Sequence, residues 1–220
     1  VDNDPQCNLT SYLSKKPITK STTDELYLTK NAVLLNEAKD RFLNSYQVSF
    51  DFIAGHKDLA GVDQFLYSRP DREVVLKKNL GWAIGEYDFI FIDNPPSLNL
   101  LTLNALAAAN RVLIPVQTEY FSLEGIEKMQ ESIEMIRARW NPGLQVAVIL
   151  PTRVDRRKRI TWDILKLIEE KFPRGLFKAH IRDSSKVAES SGFGKTILNY
   201  AGSSAGADDY RALAEELLER

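Results

Sequence analysis

The chain has 220 residues, 44% of them hydrophobic, with 29 Lys and Arg against 30 Asp and Glu and a formal net charge of -1. That length suits one large α/β domain with a sizeable core, and the near-neutral balance excludes a generally basic nucleic-acid coat, so any DNA contact has to come from a local patch. Cys7 is the single cysteine and the two histidines lie far apart, which excludes an intramolecular disulfide and gives no zinc spacing; no apolar run reaches the ~18 residues of a membrane span.

Residues 1–8 (VDNDPQCN) read as the end of a strand running into an acidic loop. A strand already under way at Val1 predicts further chain upstream. Residues 15–47 are polar and then helical, the least defined stretch. Residues 47–53 alternate in character and predict a strand stopped by Gly55. Residues 70–84 predict a helix with Pro70 in its first turn. Residues 89–92 (FIFI) are apolar on both faces, as a buried central parallel strand should be, and end at Asp93 and Pro95-Pro96. A Leu- and Ala-rich helix follows over 100–109, then a strand over 111–116. Ser122 is placed as the cap of a helix reaching Trp140 and ended by Asn141-Pro142-Gly143. A buried strand over 146–150, an amphipathic helix over 161–172, a short strand over 176–181 and a helix over 207–220 complete the chain. The alternation predicts an α/β fold with a doubly wound, mostly parallel sheet and helices on both faces. Trp82, Trp140 and Trp162 read as packing residues, and Leu213, Leu217 and Leu218 as core contacts.

Two predicted strands deliver acids to one sheet edge, the arrangement by which phosphate-handling enzymes hold Mg²⁺ and water. Asp2 and Asp4 flank Asn3 at the first. Such a loop can orient a water for attack on phosphorus, or Asp4 can simply cap the following helix; the residues leave both open. Asp93 follows four apolar residues, and Pro95-Pro96 fix the shape of the loop after it. A Gly-x4-Gly-Lys-Ser/Thr phosphate loop occurs nowhere in the 220 residues.

These segments resemble ParA-type chromosome and plasmid partition ATPases, of the larger group that includes MinD and the nitrogenase iron protein. The likeness lies in residues 1–11 (VDNDPQCNLTS), 87–106 (YDFIFIDNPPSLNLLTLNAL), 111–124 (RVLIPVQTEYFSLE), Phe193-Gly194-Lys195 and 206–213, and covers nearly the whole chain except 15–47. It implies a P-loop NTPase-like domain over 1–220, here without its first strand, P-loop and first helix, and so a chain that does not hydrolyse ATP unaided. It implies ATP and Mg²⁺ as cofactors, an ATP-bound homodimer, non-specific DNA and a centromere-binding (ParB-type) protein as partners, and a cytoplasmic, nucleoid-associated location. By the same resemblance Asp4 positions or activates the attacking water, Asp2 supports the metal's water shell, Asp93 contacts Mg²⁺, and Pro95 and Pro96 lie in the switch facing nucleotide and partner. Thr152, Arg153, Ile181, Arg182 and Asp183 approach the adenine. Two departures stand out: Arg182-Asp183 occupies the place of a usual Pro-Arg pair, and Cys7 that of a glycine.

Arg153, Arg156, Arg157, Lys158 and Arg159 crowd one loop and helix start, with Lys186 and Lys195 later in the chain. The composition fits either a DNA-phosphate patch or a solvated helix entry, and the resemblance favours DNA. The acidic last helix, with Asp208, Asp209, Glu215, Glu216 and Glu219, argues against the membrane helix of MinD-like proteins. The alternative is a non-catalytic ParA-like regulatory or interaction protein, and a related ATPase with another cargo is a further rival.

Overall fold

A parallel ladder through the first three residues sets the architecture. Val1 N donates to Phe91 O at 2.7 Å, Asp93 N to Val1 O at 2.9 Å, and Asn3 N to Asp93 O at 2.8 Å. On the other side Asp2 N donates to Ile53 O at 3.0 Å. The computed structural model describes residues 1–13, 22–28, 36–37, 50–118, 122–145, 148–173 and 175–220. They form two compact units, Val1–Asn110 with Ile136–Gly143, and Arg111–Met135 with Leu144–Arg220.

In the first unit, α1 (Asn8–Leu13) and α2 (Thr23–Leu28) follow the opening ladder. β1 (Asn36–Glu37) pairs antiparallel with β2 (Asp51–Phe52). Then come α3 (Leu59–Tyr67), α4 (Val75–Asn79), a 3-10 turn over Gly81–Ala83, and α5 (Leu100–Ala108). Asn99 caps α5 by accepting from Thr102 N. The core joins Leu26, Tyr27, Leu59, Leu66, Leu76 and Leu101, all at most 1% exposed, beneath the ladder. Asn104, fully buried, accepts from Leu76 N and donates to Arg72 O and Leu100 O, tying α5 to α4.

In the second unit, β3 (Leu113–Gln117) pairs parallel with β4 (Val148–Thr152), Leu113 opposite Val148. α6 (Ser122–Arg139), which from Ile136 on belongs to the first unit, follows β3, and α7 (Arg159–Lys171) follows β4. α8 (Ser185–Gly192), α9 (Ile197–Ala201) and α10 (Ala205–Glu219) follow. Val116, Ile126, Ile149, Ile164 and Ile168 make one core cluster; Leu150, Phe177 and Ile181 make another, against which Leu213 and Leu217 pack.

Several expectations are corrected. Residues 70–84 are not one helix: Arg69 and Lys78 both bind Asp71, the chain turns through 70–74, and helix begins only at Val75. Phe89, Ile90 and Phe91 are 55%, 39% and 62% exposed, because among the described residues this extended segment meets a partner strand on one side only. Residues 176–181 pair with the sheet at Leu176 and Ile181 but form no strand between, because the amides of Lys178 and Ala179 donate to the Glu216 carboxylate. Glu216 and Asp209 therefore face inward from α10 and do not belong to an acidic outer face. Leu218 is 70% exposed, as are Trp82 at 41% and Trp162 at 51%. Residues 47–49 and 146–147 of two predicted strands, most of 15–47, and the side chain of Ser122 lie outside the described residues. Among the described residues no helix is long and apolar enough to cross a membrane.

Candidate functional site

The register of the ladder makes Asp2 and Asp93 bridge partners on neighbouring parallel segments. Both acids therefore leave the sheet at one edge, as predicted. Their environments differ. Asp2 is fully buried, and its carboxylate is already committed. Oδ2 accepts from Thr10 N at 2.8 Å and Thr10 Oγ1 at 2.6 Å, and Oδ1 accepts from Asp4 N at 3.2 Å. Thr10 Oγ1 in turn accepts from Gly55 N at 2.7 Å. Gly55 is required here: a Cβ on it would stand 2.8 Å from Asp2 Cγ. Thr23 closes the arrangement by donating to Asp2 O at 2.7 Å and Ala54 O at 3.1 Å. A buried charge holding this many donors is compensated, and it fixes the loop around it.

Asp4 is half-buried, and its Oδ1 accepts from Gln6 N at 2.9 Å. Gln6 precedes α1, so Asp4 makes a local turn and does not cap the helix. Its carboxylate keeps further acceptor capacity. Cys7 continues the turn at φ 53, the left-handed region where glycine is at ease. Burial first, then the charges of Asp2 and Asp4, push the Cys7 thiol up.

Asp93 is exposed at the mouth of the ladder. Neighbouring protein first, then the negative charges of Asp2 and Asp4, hold its carboxyl above its ordinary value. Asn3 joins the two acidic turns: fully buried, it donates to Asn94 Oδ1 at 2.8 Å and Leu101 O at 3.1 Å while accepting from Tyr27 Oη at 2.9 Å. Pro95, half-buried, and Pro96 follow, and Thr102 Oγ1 donates to Ser97 O at the start of α5. Sequence reasoning named the acids and missed Asn3, Thr10, Thr23, Tyr27 and Gly55. Only the Thr22-Thr23-Asp24 run at a helix start carried a local signal.

The remaining predicted residues lie in the second unit. Thr152 ends β4, and Arg153 takes φ 51. Arg153 Nε lies 3.7 Å from Asp183 Oδ1 and its Nη1 donates to Gln117 Oε1 at 3.4 Å. Gln117, Thr118, Arg153, Asp155, Lys158 and Asp183 line a small polar pocket. Arg182 is spent elsewhere: Nε and Nη2 grip Asp209 at 2.7 and 2.6 Å, and its backbone N adds a third bond at 3.0 Å. Arg156, Arg157, Lys158 and Arg159 stand exposed on the turn into α7. Arg157 forks onto Asp155 with both bonds at 2.9 Å, which holds the Asp155 carboxyl down at about 2. Arg156 meets His180 Nε2 at 2.9 Å, and Arg159 lies 3.9 Å from Asp163. Trp162 donates its indole N–H to Arg156 O and leaves its ring exposed beside these cations. Lys186 and Lys195 are exposed on α8 and just after it.

A family model described as an AAA domain matches residues 1–146. The chromosome partitioning protein ParA of Myxococcus xanthus is 36% identical over 221 residues, covering 100% of this chain and 76% of that protein. The chromosome-partitioning ATPase Soj of Treponema pallidum is 39% identical over 163 residues, 74% of this chain and 64% of that protein. Among solved structures, cobyrinic acid a,c-diamide synthase of Mycobacterium smegmatis, with a bound ATP analog and magnesium, superposes with a TM-score of 0.79 at 29% identity, over 99% of this chain and 80% of that one. The α/β, P-loop NTPase-like architecture, the two acidic turns on one parallel edge and this degree of identity agree: the chain belongs to the ParA-type chromosome-partitioning ATPases.

Proposed function

We propose that this protein hydrolyses ATP to partition DNA, acting as an ATP-bound homodimer that grips DNA without sequence preference and releases it on hydrolysis. The observation that carries the reading is the pair of acidic turns bridged at Asp2 and Asp93. The charges of Asp2 and Asp4 raise the proton affinity of Asp93, so the site gains from a divalent cation, and an all-oxygen donor set suits Mg²⁺. Mg²⁺, when bound, neutralises charge on the transferring phosphoryl oxygens. Asp93 offers its exposed carboxylate to the water shell of the ion. Asp2 supports that shell indirectly, by fixing Thr10 and the Asp4 amide. Asp4 keeps a carboxylate oxygen for the attacking water. Asn3 couples the turns, so that whatever orders Pro95 and Pro96 is felt at Asp4.

In the second unit, Thr152, Arg153 and Asp183 face the base, while Arg182 supports their loop through Asp209. Arg153, Arg156, Arg157, Lys158, Arg159, Lys186 and Lys195 supply phosphate contacts, and the exposed Trp162 ring adds an apolar plane beside them. A centromere-binding protein stimulates hydrolysis, and the protein works in the cytoplasm on the nucleoid.

The test is Mg²⁺-dependent binding of a fluorescent ATP analogue, followed by ATP turnover on DNA, with the protein expressed from its complete gene and with its Asp4→Ala variant. The variant is expected to bind nucleotide and stay locked on DNA. Normal hydrolysis in Asp4→Ala would reduce Asp4 to a turn-former. Failure of the unaltered protein to bind nucleotide would overturn the reading in favour of a non-catalytic regulator.

A further inference from the structure

Away from the Asp2–Asp93 turns, the first unit brings Asp24, His56 and Asp58 together. Asp24, the second residue of α2, is 7% exposed, yet its Oδ1 has no hydrogen-bond partner among the described residues. A nearly buried carboxylate with an idle oxygen is costly unless something positive sits beside it. His56 and Asp58 come from the loop between β2 and α3. His56 Nδ1 lies 3.9 Å from Asp24 Oδ2 and 3.4 Å from Asp58 Oδ2. One ligand atom from each residue falls within 4.8 Å of the other two.

Hydrogen bonding accounts poorly for this grouping. The 3.9 Å separation is beyond hydrogen-bond range, and the Asp58 backbone N–H reaches Nδ1 only at 3.4 Å. That amide nevertheless marks Nδ1 as the lone-pair side of the ring. Three electron-rich atoms thus surround one point. Tetrahedral ligand bonds of ~2.0–2.2 Å set their donor atoms ~3.3–3.6 Å apart; the two separations from His56 Nδ1 are 3.4 and 3.9 Å, so a small shift of Asp24 brings its oxygen into place. We propose that Asp24, His56 and Asp58 form a site for a divalent transition-metal ion of the zinc class, with the fourth position open. The imidazole separates this site chemically from the all-oxygen Asp93 turn, because nitrogen ligands favour zinc-like ions over Mg²⁺. Entry is direct: the His56 and Asp58 side chains are 36% and 73% exposed. The ion would pin the start of α2 to the loop carrying Gly55, and Thr23 already ties that start to Asp2 O. The inference does not depend on ATP hydrolysis.

The experiment is calorimetric titration of the chelator-treated protein with Zn²⁺ alone, with Co²⁺ as an optical probe of nitrogen ligation. Wild type and His180→Ala are expected to bind one ion. His56→Ala and Asp24→Asn should bind about tenfold more weakly or worse, with circular dichroism unchanged. Asp24→Asn keeps the side-chain volume, so it separates lost ligation from lost packing. Undiminished affinity in His56→Ala, loss of binding in His180→Ala instead, displacement of Zn²⁺ by excess Mg²⁺, or no binding in wild type would each overturn the site.

Discussion

Replacing Arg182 by Met tests whether the loop after Ile181 is held by α10. The Asp209 side chain is 8% exposed and receives three donors from Arg182, while the Arg182 side chain is 42% exposed. Stranding one member of a fully buried pair costs ~3–5 kcal/mol; with the arginine partly solvated, ~2–3 kcal/mol is the appropriate range. For a chain of this size that is a fall in Tm of roughly 5–10 °C. The pH dependence has a definite sign. Burial pushes the Asp209 carboxyl up, but the Arg182 hydrogen bonds outweigh it and hold the group below its ordinary value. Its contribution is therefore complete above the unfolded carboxyl value of ~3.9 and is lost as pH falls through the folded value. Urea denaturation of wild type and Arg182→Met should show a gap at pH 7 that narrows on acidification. A gap under ~0.5 kcal/mol, or one that ignores pH, would refute the reasoning.

Gly55→Ala drives a methyl against Asp2, which its donors prevent from yielding, and should cost ~1–3 kcal/mol; urea midpoints within error of wild type would contradict the close packing. Cys7→Gly relieves the left-handed φ at the price of a looser unfolded chain, a net gain of ~0.5–1 kcal/mol, so a lower Tm would show that the thiol packs more usefully than the backbone suffers. Changing Arg156, Arg157 and Lys158 together to Glu should abolish DNA binding and spare nucleotide binding, and unchanged DNA affinity at low salt would remove the patch from the interface.

Four helices were legible, from Leu and Ala richness in α5, a cap in α6 and amphipathic spacing in α7: α5, α6, α7 and α10 lie within two residues of their expected bounds. So was the delivery of Asp2 and Asp93 to one edge, because a strand's end and its acid are adjacent in sequence. Partnership at a distance was not. Nothing local says that Thr10 will bind Asp2, that Asn3 will bind Asn94, or that Glu216 will take two amides of the 176–181 segment. The apolar run at 89–92 showed how residues of that type usually pack but not how many strands flank them here. The basic run at 156–159 carried its charge in the sequence, but the fork between Arg157 and Asp155 needed the turn to form.

The parallel ladder has a consequence for how such a protein changes over evolution. Side chains alternate between faces along a strand, so a one-residue slip between the opening segment and residues 91–93 would carry the two acids to opposite sides of the sheet. Insertions in the long connection between these segments leave the pairing intact, whereas a single insertion inside either one dismantles it. Connection length is thus free to vary and register is not.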